Sequence, residues 1–546
     1  MSLKRISLVA ITSVLLATAS FSPVAADALS WDPVGSEIVG ATTSENFGTQ
    51  VALNDDGTIM AAGAPKYGTS PNQDTGQVTV YRLVNSAWIV MGSPLTGEAG
   101  GDYFGQSVSL SSDGLLLAVG APQNDGAAGA ANAAGSTRVF AWNGTAWVQR
   151  GVDIDGEAAE NQSGTSVSLS DDGSRVAIGA PFNAGAGADS GQLRVYGWNG
   201  SAWTPLGADI DGVAGDRLGR AVALSGDGNT VAGGARDNTS STGVVRVYSF
   251  DGTSWSTKGS AIAGEAASDY SGWSVSLDEA GSTVAIGSPY NDGGGSNAGS
   301  VRVYAYSGST WGKNGQDLDG DVAGDLFGWS VSLSADGNTV AAGAPKNPGS
   351  FATAGHVRVL EYQTASWEPK GATLLGDATG DQSGYSVSLS GSGSHIAIGA
   401  PFHDTVVSDE GQVRVFSYPT PVVATTTSNN RLHGIYLHVA GPIGRSVVDS
   451  PIYFGSYKVM ANSRYLVSVK QAGTPGTPSI TLAEGQVNAG GTFDARGLFR
   501  SLTPGNYTIT FTGVHQTGTG LRLSAPFSVG KNGEFVALGS NLPGIW

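Results

Sequence analysis

Three glycines recur at fixed spacing in seven successive copies, and this spacing constrains the fold more than any other feature of the chain. In each copy a second glycine follows the first after nine residues and a third follows after fifteen, without an insertion. The first glycines are Gly48, Gly105, Gly164, Gly219, Gly272, Gly328 and Gly384. A spacing that never varies indicates one rigid supersecondary unit that is repeated around or along a shared core.

Each copy has the pattern of four antiparallel strands. Alternation in Val108-Ser-Leu110 predicts a first strand, Asp113-Gly114 predicts a tight hairpin turn, and Leu116-Leu-Ala-Val119 predicts the returning strand. A loop of variable length leads to a third strand such as Arg302–Tyr306, and a tryptophan begins a fourth. Four strands in roughly 50 residues are typical of one β-propeller blade. Seven copies therefore predict an all-β, seven-bladed propeller.

The outer strand of the seventh blade is absent from the end of the repeats and is expected at their start. Six copies are followed by a fourth-strand tryptophan, whereas the seventh runs into Pro419 without one. Trp31 stands 17 residues before Gly48, the spacing at which five other tryptophans precede their glycines. We therefore predict that residues 29–40 supply the missing strand and close the ring. An open solenoid is the alternative, but it would not need an N-terminal strand in that register.

Phe-Gly followed after fifteen residues by Gly-Ala-Pro resembles the FG-GAP repeat, found in integrin α-subunit propellers and in many secreted bacterial proteins. Phe-Gly is exact at Phe47, Phe104 and Phe327, and Gly-Ala-Pro is exact in five copies. The resemblance covers about residues 29–418 and implies a propeller without fixing its function. Integrin-type repeats that bind calcium have an Asp/Asn-rich loop between the first two strands. Here that place holds a tight turn with too few oxygens for calcium, so that site is not carried over.

An acid or an amide stands three residues before each first glycine, and two interpretations of this position are open. The residues are Glu45, Asp102, Asn161, Asp216, Asp269, Asp325 and Asp381. In the first interpretation they form a ring on one face that meets a cation or a basic ligand, which makes the five aspartates candidate ligand-binding residues. In the second, each side chain holds its own turn by a hydrogen bond.

A second group of acids lies close together in the chain before the sixth copy. Asp317, Asp319, Asp321 and Asp325 fall within nine residues. Oxygen-rich loops can hold Ca²⁺, so these four are candidate metal ligands and Ca²⁺ is the one cofactor that the sequence suggests. Their spacing does not match the EF-hand template, and solvated surface acids are the alternative.

The residue directly after the first glycine is aromatic in three adjacent copies. Trp273, Trp329 and Tyr385 are candidates for a platform on which a sugar or a peptide stacks. They share strand parity with apolar residues, so packing between blades is the alternative. The variable loops after the second strand, such as 124–135, share a face with the acidic turns and are the preferred binding surface.

Composition and the two ends of the chain suggest where it works. Cysteine is absent, which excludes a disulfide framework and thiolate chemistry, and the net charge of −17 disfavours nucleic acid and anionic membranes as partners. Residues 1–26 predict a signal peptide whose apolar run is too short to span a bilayer, and hence a secreted or cell-surface protein without membrane insertion. Beyond a linker at 419–430, residues 431–546 predict an Ig-like or carboxypeptidase-regulatory-like β-sandwich.

Signals for catalysis are weak. The six histidines share no repeat position and no metal-ligand spacing, and neither a Gly-x-Ser-x-Gly elbow nor a P-loop occurs. We therefore expect a non-enzymatic recognition or adhesion protein whose propeller, residues 27–418, binds an extracellular protein or glycan through its loop face. Two alternatives stay open: a polysaccharide-active propeller hydrolase or lyase with a carboxylate pair across blades, and a structural envelope or matrix component.

Overall fold

The computed structural model describes residues 30–68, 73–126, 132–348, 351–405 and 407–419, and the backbone of seven strands between 436 and 536. The chain divides into two compact units, of which one is Leu29–Val422 and the other takes in Val423–Trp546. In the described residues the secondary structure is almost entirely strand, and one helical segment of four residues occurs at Asn238–Ser241.

The larger unit is a ring of seven antiparallel sheets, each with four strands and a short fifth segment beside the third strand. The innermost strands are Gln50–Leu53, Ser107–Leu110, Ser166–Leu169, Ala221–Leu224, Ser274–Leu277, Ser330–Leu333 and Ser386–Leu389. The second strands are Ile59–Ala64, Leu116–Ala121, Arg175–Ala180, Thr230–Ala235, Thr283–Ser288, Thr339–Ala344 and His395–Ala400. The third strands are Gln77–Val84, Ser136–Trp142, Gln192–Trp198, Val244–Phe250, Ser300–Tyr306, His356–Gln363 and Gln412–Ser417.

The outer strands of the first six blades are Ala87–Val90, Trp147–Gln149, Trp203–Pro205, Trp255–Thr257, Trp311–Lys313 and Ser366–Pro369. The short fifth segments of these blades are Leu95–Thr96, Ile154–Asp155, Ile210–Asp211, Ile262–Ala263, Leu318–Asp319 and Leu374–Leu375. The seventh blade takes both elements from the start of the chain, as Asp32–Pro33 and Ile38–Val39. Asp32 pairs with Ser417 and Ile38 pairs with Val413, which confirms the predicted closure of the ring.

Each outer-strand tryptophan joins its blade to the preceding one. Its indole N–H donates to a backbone carbonyl oxygen there, at N···O distances of 2.6–2.8 Å. Trp88 in blade one donates to Val34 in blade seven, and Trp31 in blade seven donates to Lys370 in blade six. Since a buried indole N–H needs a partner, the recurring tryptophan both fills the space between blades and fixes their register.

The three fixed glycines have two different physical causes. The first and second glycines of each copy have positive φ angles, such as +85° at Gly328 and +67° at Gly337, which residues with a Cβ rarely adopt. The third glycine, such as Gly343, lies against the neighbouring blade, where a Cβ would stand 2.0 Å from the carbonyl oxygen of Gly384. The same approach occurs between Gly399 and Gly48 across the closure. The fixed spacing of the three glycines therefore reflects two positions that need a positive φ and one position where the backbones of two blades come close together.

A closed ring of backbone hydrogen bonds links the seven hairpin turns between first and second strands. In each turn one N–H donates to the carbonyl oxygen of the equivalent residue in the next blade, at 2.8–3.1 Å. The residues in order are Asp55, Ser112, Asp171, Gly226, Glu279, Ala335 and Gly391, and Gly391 donates back to Asp55. This ring, which we call the turn ring, draws the blades together at the end of the channel where the inner strands finish.

The hydrophobic cores lie between neighbouring blades. In one of them the buried Phe327, at the start of blade six, shares a cluster with Val303 of blade five and Trp367 of blade six. Three copies have serine in place of this phenylalanine, and there a third-strand arginine donates to the serine hydroxyl, as from Arg194 to Ser163 at 3.0 Å. The Phe-Gly position is thus a packing position even where the phenylalanine is replaced.

The second unit contains a hairpin, Tyr436–Val439 with Ile452–Gly455, and a five-stranded antiparallel sheet. In spatial order the sheet strands are Ile480–Gln486, Arg464–Gln471, Gly505–Val514, Gly520–Val529 and Phe535–Val536. The β-sandwich and its Ig-like character stay predictions. The predicted signal peptide and most of the predicted linker lie outside the described residues.

Candidate binding site at the channel mouth

The inner strands of all seven blades surround a central channel and begin at the end opposite the turn ring. The residue after each first glycine lines a cavity of about 190 Å³ there. These seven residues are Thr49, Gln106, Thr165, Arg220, Trp273, Trp329 and Tyr385. A cavity of about 150 Å³ is enough to hold benzene, so this one admits a ring-sized group.

One wall of the cavity is aromatic. Ring centroids are 4.5 Å apart for Trp273 and Trp329, and 5.4 Å apart for Trp329 and Tyr385, in tilted arrangements. Tyr290 and Phe402 extend the wall at its two ends, 5.8 Å from Trp273 and 6.0 Å from Tyr385. The three predicted aromatics are therefore brought together, partly against each other and partly facing the channel, where all three stay partly exposed.

The opposite wall is polar and comes from blades one to three. The hydroxyl of Thr49 donates to the carbonyl oxygen of Asn46 at 2.8 Å, and that of Thr165 donates to Gln162 at 2.7 Å. Each hydroxyl oxygen therefore still has lone pairs to offer a ligand. The side-chain amides of Gln50 and Gln106 also line the cavity. Neither forms a hydrogen bond within the described part of the chain, so both offer donors and an acceptor.

Arg220 of blade four stands between the two walls. Its guanidinium lies 5.7 Å from the ring centroid of Trp273 and forms neither a hydrogen bond nor an ion pair among the described residues. Burial, with the nearby charge of Arg236, lowers the pKa of Arg220 to about 10, so it stays protonated at neutral pH. Arg220 is the one charged side chain in the lining of this cavity, as the described residues define it.

The predicted carboxylate ring lies below the loop surface. Asp102, Asp216, Asp269, Asp325 and Asp381 are all buried. Each accepts a hydrogen bond from a backbone N–H three residues earlier in the chain, as Asp381 does from Ala378 at 2.9 Å. This is the turn-holding role that was the second interpretation of the sequence. Binding of a ligand by these carboxylates stays a prediction.

A second residue completes this turn, and the sequence reasoning missed it. It stands 22 residues after the acid and is asparagine in five copies and His403 in the seventh. Asn291 donates to Asp269 at 3.0 Å, and His403 lies 3.0 Å from Asp381. The recurrence of asparagine four residues after the third glycine was the available signal. It joins the loop after the second strand to the turn that begins the same blade.

The four candidate calcium ligands have separate partners. Asp317 pairs with Lys313 at 3.0 Å, Asp321 pairs with Arg358 at 2.8 Å, and Asp325 accepts backbone N–H groups. Asp319 lies in a short strand beside Ser300. Over the described ranges, the structure contains no group of three or more acidic or histidine side chains arranged to hold a metal ion. The calcium site therefore stays a prediction from the sequence.

The seven sheets and the cavity define this protein as a seven-bladed β-propeller with a ring-sized cavity at one end of its central channel. The family model for the FG-GAP repeat matches residues 96–140 and 255–304, which confirms the predicted resemblance to this repeat. No curated protein matches the chain. In the described residues, no helix has the length and apolar character needed to cross a membrane.

Two solved structures are similar at 11 % sequence identity. One is a Bacteroides uniformis protein provisionally described as a 6-phosphogluconolactonase, with a TM-score of 0.43 over 62 % of this chain and 89 % of that one. The other is U3-55K, with a TM-score of 0.41 over 72 % of this chain and 99 % of that one.

Proposed function

We propose that this protein is a secreted, non-enzymatic recognition or adhesion protein that binds a glycan or a protein ligand at the loop face of its propeller. The FG-GAP propeller fold is consistent with a ligand-binding or adhesion-type protein. The proposal places the ligand at the channel mouth, where all seven blades contribute side chains to one cavity. A scaffold that holds different residues at equivalent positions is suited to binding an asymmetric ligand.

The aromatic wall is the observation that carries this proposal. Trp273, Trp329 and Tyr385 offer partly exposed ring faces to a concave space, opposite amides that have no partner among the described residues. Partly exposed tryptophans in a cavity with a few convergent polar groups are the usual composition of a small-ligand site. A structural role alone would be served by aliphatic residues, which the equivalent parity positions deeper in these strands already supply.

The enzymatic alternative gains no support from this cavity. Its lining residues include no aspartate or glutamate, so the carboxylate pair that this alternative predicts is not among them. A carboxylate pair elsewhere on the propeller, and a structural role in an envelope or matrix, stay open as alternatives.

Glycan and protein arrays, followed by calorimetry on the best binder, test the proposal. Trp329→Ala should weaken binding at least about tenfold, because aromatic anchors in pockets carry much of the binding energy. Phe351→Ala is the matched control, since Phe351 is an aromatic residue that is 49 % exposed outside the cavity. Loss of binding in Phe351→Ala but not in Trp329→Ala would move the site from the channel to the loops. Turnover of a bound glycan would favour the enzymatic alternative.

Secretion is part of the same proposal and rests on residues 1–26. Export of the full chain from a bacterial host, compared with a variant that has Lys4 and Arg5 replaced by glutamate, tests it. Reversing the charge before the apolar run should retain the protein inside the cell. Equal export of both would argue against a signal peptide.

A further inference from the structure

We propose that the channel mouth binds an acidic sugar and that Arg220 pairs with its carboxylate. This inference rests on the proposed function, because it names the ligand class of the same cavity. It is carried by the state of Arg220, a guanidinium that lines the cavity without a hydrogen bond or an ion pair within the described residues.

A partly buried cation without a counter-charge is costly, so proteins usually pair such groups. Two other arginines of blade four are paired: Arg246 pairs with Asp216 at 2.7 Å, and Arg217 pairs with Asp189 at 3.1 Å. Arg220 departs from this pattern although the chain has 45 acidic residues and 28 basic ones. A charge left unpaired at a functional site is ready to pair with a charge on a ligand.

The surroundings of Arg220 are arranged for an anion and against a cation. Arg236 lies close by with its guanidinium carbon 4.3 Å from the ring centroid of Trp273, and it adds positive potential. Asp237, the acid near both arginines, is itself paired with Arg217 at 3.3 Å and with Arg236 at 3.5 Å. The cavity thus holds a net positive potential in a strongly acidic protein. A planar guanidinium is the side chain best matched to a carboxylate, which it can bind through two hydrogen bonds.

The remaining walls favour a sugar ring over an acidic peptide. Trp273, Trp329 and Tyr385 provide three adjacent ring faces for the apolar face of a pyranose. Gln50 and Gln106 can donate and accept, and Thr49 and Thr165 can accept, which matches a ring that carries several hydroxyl groups. A uronic acid combines an apolar face, hydroxyl groups and one carboxylate in a ring-sized unit.

Calorimetry with a panel of oligouronates tests the inference. The probes are trigalacturonate, trimannuronate and triglucuronate, each with its methyl ester, which keeps the ring and removes the charge. At least one free acid should bind about 10- to 100-fold more tightly than its ester, the range expected for hydrogen bonds to charged groups. Arg220→Gln should abolish this preference, and Arg220→Lys should keep part of it. Arg82→Gln, which removes an exposed charge from blade one, should leave it unchanged.

The two proposals fail in different ways. Equal binding of acids and esters, weakened by Trp329→Ala and unaffected by Arg220→Gln, would overturn the acidic ligand and keep the recognition function. Arg220-dependent binding of a glutamate-rich peptide but of no uronate would overturn the sugar. Failure of every panel member and every array ligand would overturn both. Arg220→Gln should melt no lower than the parent protein, because it removes a partly buried charge that has no counter-charge. Thermal melts of both proteins therefore separate a loss of binding from unfolding.

Discussion

At the scale of single residues, the turn ring brings carboxylates together at the end of the channel where the inner strands finish. Asp55, Asp171 and Glu279 occupy equivalent positions in three of the seven turns. Burial, together with the charges of Asp55, Glu279, Asp172 and Asp227, raises the pKa of Asp171 to about 6. Burial and the charge of Glu279 also raise the pKa of Asp55. Repulsion between the ionised carboxylates of the turn ring therefore opposes the contacts between turns that the backbone hydrogen bonds favour.

Asp171→Asn should stabilise the protein above pH 6. A raised folded pKa means that the wild-type protein is most stable below the unfolded pKa and loses that stability as pH rises through about 6. The variant escapes this loss and should gain about 1 kcal/mol at pH 8, a modest value because solvent screens these charges. Thermal melts at pH 4.5 and 8 measure it, with Glu160→Gln, an exposed acid outside the turn ring, as the control. A gain that is equal at both pH values would contradict the account.

His403→Asn should remove a second contribution to stability that also weakens as pH rises. This one comes from attraction between a protonated histidine and a carboxylate rather than from repulsion between carboxylates. The hydrogen bond to Asp381 raises the pKa of His403. The pair therefore stabilises the fold at acidic pH, and this stabilisation is lost as pH rises through the raised pKa of His403. Asparagine is the natural residue in five equivalent positions. The variant should be less stable than the parent at pH 5.5 and nearly equal at pH 8.5. Melting curves at both pH values decide this, and a constant difference would contradict it.

At the scale of elements, neighbouring blades pack closely because the third glycine of one blade lies against the backbone of the first glycine of the next. Gly343→Ala should destabilise the propeller by about 3 kcal/mol or more, because its Cβ would meet the Gly384 carbonyl oxygen at 2.0 Å. Gly312→Ala is the control: its φ is unexceptional and its Cβ would meet nothing closer than 4.0 Å. That variant should stay within about 0.5 kcal/mol. Denaturant unfolding measures both, and equal effects would show that the close approach is not what the glycine serves.

The elements of the propeller could be predicted from the sequence because they recur. Strand alternation, the turn at Asp113-Gly114 and the spacing from Trp31 to Gly48 all repeat, so one interpretation had seven independent tests. The candidate site was less predictable. Trp273 directly precedes the inner strand Ser274–Leu277, and how far its ring faces the channel depends on the radius of the propeller. That Arg220 lines the cavity without a partner depends on the distances to residues of several other blades. The sequence alone does not give those distances.

At the scale of the whole molecule, the closing strand can be tested with a covalent bond because the chain has no cysteine. Asp32→Cys with Ser417→Cys joins two paired residues across the closure. The disulfide should stabilise the ring by about 5 kcal/mol, since it closes a very long loop. Leu116→Cys with Ala141→Cys joins paired residues within blade two and should stabilise it less. Melts with and without reductant compare them, and equal gains would argue that closure does not limit stability.

Closure by the N-terminal strand also sets an order in time. Asp32 is synthesised 385 residues before its partner Ser417. At ribosomal speeds of about 5–20 residues per second, the first strand waits roughly 20 to 80 seconds for the strand it pairs with. Through that interval both flanks of the growing array expose apolar blade faces that the closed ring buries, and such faces favour aggregation. A propeller closed in this way is prone to aggregate during synthesis, and the closing strand is paired once the ring is complete.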